Sequence, residues 1–333
     1  MNQLLRKVIK RVKNITISFA REKKWYPALY KSYWHHKAQR PKEVVKTENY
    51  FSAVPNYDAG IGHQLANWIA GYWFAKQLNL KFAHIPFSSK KWDYFLGFGE
   101  DEISVKKLIS EQDYIRVKLP LFDESKPDEL KLINEIISSY KDKKVVFIAE
   151  QDQSYKDQYG VITDIKYKFN NAKARQTETL LYSDKYFNIA IHVRRGDIVI
   201  GKENHNPNLT MRWQNNNYFE NVLRRVVDNL KSDKPIAIYF FSQGTVSDFS
   251  EFKKFSNLHF CLDMNAQNSF LHMSRADLLI TSKSSFSYKP ALLNDGIKIC
   301  PRDFWHSYPN SENFILADED GVFNEDDLTS IKL

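Results

Sequence analysis

The sequence predicts an α/β chain of two doubly wound parallel-sheet domains behind a basic helical amino-terminal extension. Three observations carry that reading. From about residue 50 short apolar runs alternate with segments of helical period, the pattern of parallel strands joined by right-handed helical crossovers. The length, 333 residues, suits two domains at roughly 150 residues each. A polar stretch at 167–179, YKFNNAKARQTET, has no apolar period and divides the alternation into two series. The expected units are therefore a 1–46 extension, a Rossmann-like domain over 47–175, and a second Rossmann-like domain over 176–333 that ends in an acidic tail.

The first series opens with a helical pattern at 64–78. Its apolar residues (Leu65, Trp68, Ile69, Tyr72, Trp73, Phe74) lie nearly all round, so the helix reads as core. Apolar segments follow at 81–84, 103–110, 115–119, 129–140 and 145–149. In the second series strands are expected at 188–193, 236–241, 258–262, 277–281 and 297–300. Between them fall helices at 218–230, 246–255, 269–275 and 286–294. There is no internal repeat and no low-complexity tract.

Composition narrows the class. The chain is 43% hydrophobic and 26% charged, enough to bury ordinary cores, and 11 Gly with 11 Pro exclude collagen-like and Pro/Gly-rich disordered chains. No apolar run approaches the roughly 18 residues of a membrane-spanning helix. The two cysteines, Cys261 and Cys300, sit in no zinc spacing and cannot build a disulfide framework, which points to a reducing cytoplasm.

The net charge of +8 is unevenly placed. Residues 1–46 hold thirteen Lys/Arg against Glu22 and Glu43, a net of +11, and the rest of the chain is −3. A body that is slightly acidic does not carry a basic nucleic-acid groove, so no nucleic-acid partner is expected. In the extension Leu5, Val8, Ile9, Val12 and Ile15 recur at helical spacing among lysines and arginines. Trp25, Tyr26, Tyr30, Tyr33 and Trp34 follow. Such a segment suits an anionic membrane surface, and the competing reading packs its aromatics on the catalytic body.

Three loops carry chemistry. At the carboxyl end of the 188–193 strand lies Ile191-His192-Val193-Arg194-Arg195-Gly196-Asp197, where open parallel sheets bind ligands. Two adjacent guanidinium forks match phosphate oxygens and keep their charge, and Asp197 is spaced to hold one of them; an ordinary ion-pair cluster is the alternative. The second loop, Asp58-Ala59-Gly60-Ile61-Gly62-His63-Gln64, precedes a helix whose first N–H groups favour anions. It is neither GxGxxG nor a Walker loop, and a plain strand-to-helix turn explains it equally. The third, Thr281-Ser282-Lys283-Ser284-Ser285-Phe286-Ser287, offers hydroxyls and Lys283 at a helix start, suited to capping or to holding phosphate.

These three motifs, in this order, resemble the fucosyltransferase superfamily. The resemblance is to the bacterial α-1,2-fucosyltransferases and, more distantly, to the α-1,6- and protein O-fucosyltransferases. It rests on Gly60-Ile61-Gly62-His63-Gln64, on His192-Val193-Arg194-Arg195-Gly196-Asp197 and on the segment 276–287, ADLLITSKSSFS. It covers residues 186–300 and the loop at 58–78. It implies a GT-B fold, with two Rossmann-like domains facing across a cleft. It also implies a GDP-sugar donor, commonly GDP-fucose, transfer with inversion, and no essential metal or cofactor. Arg194 and Arg195 would then hold the pyrophosphate, with His192 and Asp197 positioning them. Ser284, Ser285 and Phe286 would line the phosphate and nucleoside side, and Gly60, Gly62 and Gln64 would contact substrate. Asp263 is similar in placement to the residue that reads the guanine edge in the α-1,6 group. The chain departs from the family at His63, where Asn is usual, at Ile198, where Tyr often follows, and at Tyr288-Lys289-Pro290.

Metal-free transfer is also what the residues suggest. A departing nucleoside diphosphate needs fixed positive charge, which arginines supply. The only DxD-like strings, Asp318-Glu319-Asp320 and nearby Asp326-Asp327, fall in the acidic tail and read as solvated surface. His63, Asp58 and Asp197 are the candidate bases for an acceptor hydroxyl, with Glu203 and His205 as further options. Tyr33-Trp34-His35-His36 lacks metal-ligand spacing, and His84 reads as a core or rim residue. The expected protein is a cytoplasmic, metal-independent inverting glycosyltransferase that moves fucose from GDP to a glycan acceptor. A lipid-linked glycan in surface-polysaccharide synthesis at the inner membrane face is the expected setting. The alternatives are transfer of another nucleotide-activated group on the same scaffold, and a non-catalytic nucleotide- or glycan-binding relative.

Overall fold

Two parallel sheets carry the chain, one in each half. The structure is a computed structural model, and it describes residues 12, 48–150, 152, 155–199, 204, 205, 207–262 and 264–329. The reading of residues 1–46 as a helical extension thus lies outside the described residues, apart from Val12.

In the first half the elements are β1 (Tyr50–Ala53), α1 (Ile61–Gln77), β2 (Lys81–Phe82), α2 (Lys90–Leu96), α3 (Val105–Glu111), β3 (Ile115–Lys118), α4 (Pro127–Ser138), β4 (Val145–Ala149) and α5 (Ile162–Asn171). The strands lie parallel in the order β2-β1-β4-β3. The second half contains β5 (Phe187–His192), α6 (Asn216–Asn229), β6 (Ile236–Phe241), β7 (Leu258–Phe260), α7 (Ala266–Arg275), β8 (Leu278–Ile280), α8 (Ser285–Leu293), β9 (Ile297–Pro301), β10 (Phe314–Ala317) and α9 (Glu325–Thr329). Its strands are again all parallel, in the order β10-β9-β8-β5-β6-β7. Counted from β5, that is the 3-2-1-4-5-6 order of dinucleotide-binding sheets. Every residue of β4, VVFIA, and of β5, FNIAIH, is buried, as helices on both faces of a parallel sheet require. The expected pair of facing, doubly wound α/β units is what forms.

The structure differs from the sequence reading at several elements. The stretch 167–179, read as lacking apolar period, is helical rather than irregular. Helix α5 runs through its first half and a 3₁₀ turn, Lys173–Thr177, through the rest. Ile165 and Phe169 do sit one turn apart and buried, but that period begins upstream of Tyr167, which faces solvent. Lys168 is buried as well, and it pairs with Glu102 at 2.6 Å. The expected helix at 246–255 is broken by Phe249, at φ −133°, into two 3₁₀ pieces. Strands β1 and β10 and helix α2 had no signal long enough to read. The acidic tail is more than solvated surface. β10 pairs with β9, Phe323 and Leu328 are buried, and Glu319 reaches back to Lys283 at 2.5 Å.

The two halves share a core. Phe270 and Leu271 of α7 and Tyr288 and Leu292 of α8 join the same apolar cluster as Phe51, Trp68, Phe74 and Phe147 of the first half. One close approach is at Gly62, near the start of α1. A methyl group there would lie 2.7 Å from Cβ and the carbonyl carbon of Ser285. Around Gly60, by contrast, no atom lies within 4 Å of such a methyl. Gly62→Ala is therefore expected to cost about 1–3 kcal/mol through overpacking. Gly60→Ala should cost less than about 1 kcal/mol, the change of helix cap alone. Chemical denaturation of both variants measures the difference, and equal losses would mean the contact at Gly62 is not tight.

Candidate active site

Ligands of open α/β sheets bind outside the carboxyl ends of the strands, where neighbouring connections leave in opposite directions. In the second sheet that point lies between β5 and β8, and in the first between β1 and β4. The loops following these strands meet across a cleft of about 550 Å³. The first half lines it with Gly60, Gly62 and His63, and the second with His192, Arg194, Arg195, Asp197, Ser284, Ser285 and Phe286. Residues from three loops distant in sequence are thus brought together as expected.

Gly196 turns the chain directly after the arginines. Its φ of +66° and the 2.0 Å between a notional Cβ and Gln243 Oε1 admit glycine alone. Arg194 faces the cleft. Its Nη1 donates to Ser284 Oγ at 3.0 Å and its Nη2 to Asp197 Oδ2 at 2.9 Å, so Asp197 holds it as expected. Arg195 behaves differently. It is buried, its Nη1 donates to the Arg194 carbonyl at 2.7 Å, its Nη2 donates to Asn216 Oδ1, and the guanidinium lies 4.3 Å over the Trp213 ring. Burial brings its pKa down to about 10, opposed by Glu251, and it stays charged at neutral pH. The two forks are therefore not equivalent: Arg195, although it also lines the cleft, spends donors on protein groups and braces the loop.

His192 is buried and bonds Ser282 Oγ through Nδ1 at 2.8 Å, tying the β5 loop to the β8 loop. Burial, then Arg194 and Arg195, push its pKa to about 3, so the ring is neutral. Ser284 caps α8, its Oγ accepting from Phe286 N at 3.2 Å. Ser285 lines the same cleft, and its Oγ is buried with no hydrogen-bond partner among the described residues. Such a hydroxyl at a helix N-terminus beside a guanidinium suits an anion. Lys283 does not contribute as expected, because it turns away to Glu319.

On the opposite wall, His63 sits in the first turn of α1. It is exposed toward the cleft, and partial desolvation, then Arg212, Lys289 and Arg194, lower its pKa while Asp152 opposes. Lys289 is buried on α8, its Nζ donating to Gln158 Oε1 of the first half at 2.8 Å, and burial brings it down to about 7. Of the other candidate bases, Asp58 lies on an exposed turn outside the cleft lining, His205 on an exposed turn, and Asp197 is paired with Arg194. Glu203 and Asp263 lie outside the described residues, though Met264 and Ala266 beside Asp263 line the cleft. Gln64 does not reach substrate space. Its amide is spent on Ala59 O, Ser88 Oγ and Ser88 N, which braces the loop. His84 is the core residue expected, bonded to Trp68 and Asp93.

Sequence reading missed Arg212, Ser242 and Gln243, which also line the cleft. Arg212 stands alone in its loop, and Ser242-Gln243 match no recognised motif, so nothing in one sequence singles them out. Among the described residues no three His, Cys, Asp or Glu side chains are grouped to hold a metal ion.

No known family profile matches the chain, and no curated protein sequence does. Solved structures of similar trace include the fucosyltransferase NodZ from Bradyrhizobium, at 11% identity and TM-score 0.40 over 75% of this chain and 94% of that one. POFUT1 in complex with GDP matches at 12% identity and TM-score 0.45, over 76% of this chain and 98% of that one. NodZ α-1,6-fucosyltransferase co-crystallized with GDP matches at 11% and 0.41, over 84% and 98%. At this depth of likeness the chemistry of the cleft has to be argued from its own residues.

The cations around His63 set a measurable property. Its imidazole is expected to titrate below the ordinary 6.5 and so to be neutral at pH 7. Histidine NMR of the full chain, assigned with His63→Gln, reads this directly; a midpoint at or above 6.5 would contradict the geometry.

Proposed function

We propose that this chain is a glycosyltransferase that moves a sugar, fucose in the first instance, from GDP to a hydroxyl of a glycan acceptor with inversion. One observation carries the reading. At the β5/β8 switch point Arg194, the N-terminus of α8 and the unpartnered Ser285 hydroxyl converge on one spot, and neutral His63 faces them from the other half. The spot fits a diphosphate. Attack from the opposite wall places the acceptor oxygen and the leaving group on opposite sides of the anomeric carbon, which is inversion. His63 takes the acceptor proton, and fixed guanidinium charge rather than a metal meets the charge that grows on the leaving phosphate. The order of the three motifs, which resembles that of fucosyltransferases, supports GDP as the nucleotide.

The setting is a lipid-linked glycan of surface-polysaccharide synthesis at the cytoplasmic membrane face. Support comes from the +11 charge and helical apolar period of residues 1–46. No helix among the described residues is long and apolar enough to cross a membrane.

GDP, and not UDP or CMP, should stabilise the protein in excess EDTA, and GDP-fucose turnover should persist there. Arg194→Ala should cost about 2–3 kcal/mol of GDP binding, and Arg194→Lys should recover little of it, because a point charge does not reproduce the fork. Arg194→Ala that binds GDP normally would remove the main support. Loss of all activity in EDTA, restored by manganese, would mean a metal-dependent mechanism.

Deleting residues 1–46 should abolish salt-sensitive sedimentation with anionic vesicles while leaving GDP binding intact. A truncated chain that no longer binds GDP would instead make the extension part of the catalytic body.

A further inference from the structure

Arg212 belongs to none of the three motifs. It lies in the loop that leads into α6, yet its side chain lines the cleft together with Arg194 and His63. The guanidinium is clamped from the β9–β10 connection by Trp305, 5.0 Å from the ring centroid. Its Nε is buried and finds no hydrogen-bond partner among the described residues. Leaving such a donor unmet is costly unless a ligand accepts from it. The carboxylate nearest to helping it, Asp197, is already bonded to Arg194. Burial and then the neighbouring Arg194 charge lower its proton affinity, and Asp197 opposes them. Arg195, by contrast, donates to Arg194 O and Asn216.

We propose that Arg212, and not Arg195, is the second guanidinium that grips the leaving diphosphate beside Arg194. The inference rests on the diphosphate-sugar reading above. In the transfer step the bond from the anomeric carbon to the phosphate oxygen breaks, and its electron pair stays on that oxygen. The acceptor oxygen forms the new bond, and its proton passes to His63. Arg212 stays protonated throughout and stabilises the phosphate oxygen that gains charge.

The test compares the full-length chain with Arg212→Gln, Arg212→Lys and Trp305→Leu. Calorimetric titration with GDP and with inorganic pyrophosphate is set beside kcat and KM for GDP-fucose. Arg212→Gln should weaken both ligands by about tenfold or more and lower kcat further. Arg212→Lys should recover only part of the loss. Trp305→Leu, which keeps the charge but releases the clamp, should lower kcat several-fold.

Wild-type affinity and kcat in Arg212→Gln, alongside lost GDP binding in Arg194→Ala, would overturn the role of Arg212 and leave the diphosphate reading standing. A wild-type chain that binds neither GDP nor pyrophosphate would overturn both. Should Arg212→Gln not fold, unchanged affinity and kcat in both Arg212→Lys and Trp305→Leu would overturn the proposal.

Discussion

The architecture depends on two helix N-termini brought within backbone contact. Helix α1 starts from the first sheet and α8 from the second, and they meet where Gly62 leaves no room for a side chain beside Ser285. Each N-terminus carries unsatisfied N–H groups and partial positive charge. Arg194 and Arg212 add full charges around the same place, and Lys289, brought down to about 7 by burial, adds a partial one. Without an anion this concentration is unfavourable. The apolar contacts of Phe270, Leu271, Tyr288 and Leu292 with the first-half core hold the halves together against it.

That arrangement divides the work within each loop. Residues that look equivalent in sequence take different tasks according to depth. Both arginines line the cleft, but Arg195 is largely buried against Trp213 and Asn216 while Arg194 bonds Ser284. Ser282 bonds His192, Ser284 caps α8 and binds Arg194, and Ser285 keeps a hydroxyl unspent. A run of like residues thus becomes a brace, a cap and an unpaired hydroxyl.

Partial desolvation, and after it the positive field, lowers the pKa of His63. A histidine among cations stays neutral at a pH where an isolated one would be partly protonated, and a neutral ring accepts a proton. His63 stands where the resembled family usually has Asn. The buried Lys289, one of the departures after the serine loop, contributes to that field from within α8 and links to Gln158 of the first half. The two departures therefore belong to one electrostatic unit.

Local pattern was enough to determine the α/β class, most of the second-half strands and the three loops, because continuous apolar runs such as 236–241 and glycine or arginine pairs are visible within a few residues. It failed where the signal was short or split: at β1, with four residues around Ser52, and at α5, whose buried face straddles exposed Tyr167. The direction of each side chain was a tertiary matter. Only the packed chain turns Gln64 to Ser88, Lys283 to Glu319 and Arg195 to Asn216, and only it brings Arg212 across from an unmarked loop to Arg194. The physical reason is that a motif specifies which groups are available. Burial and the competition for hydrogen-bond partners, set by residues far away in sequence, specify which of those groups remain unspent for a ligand.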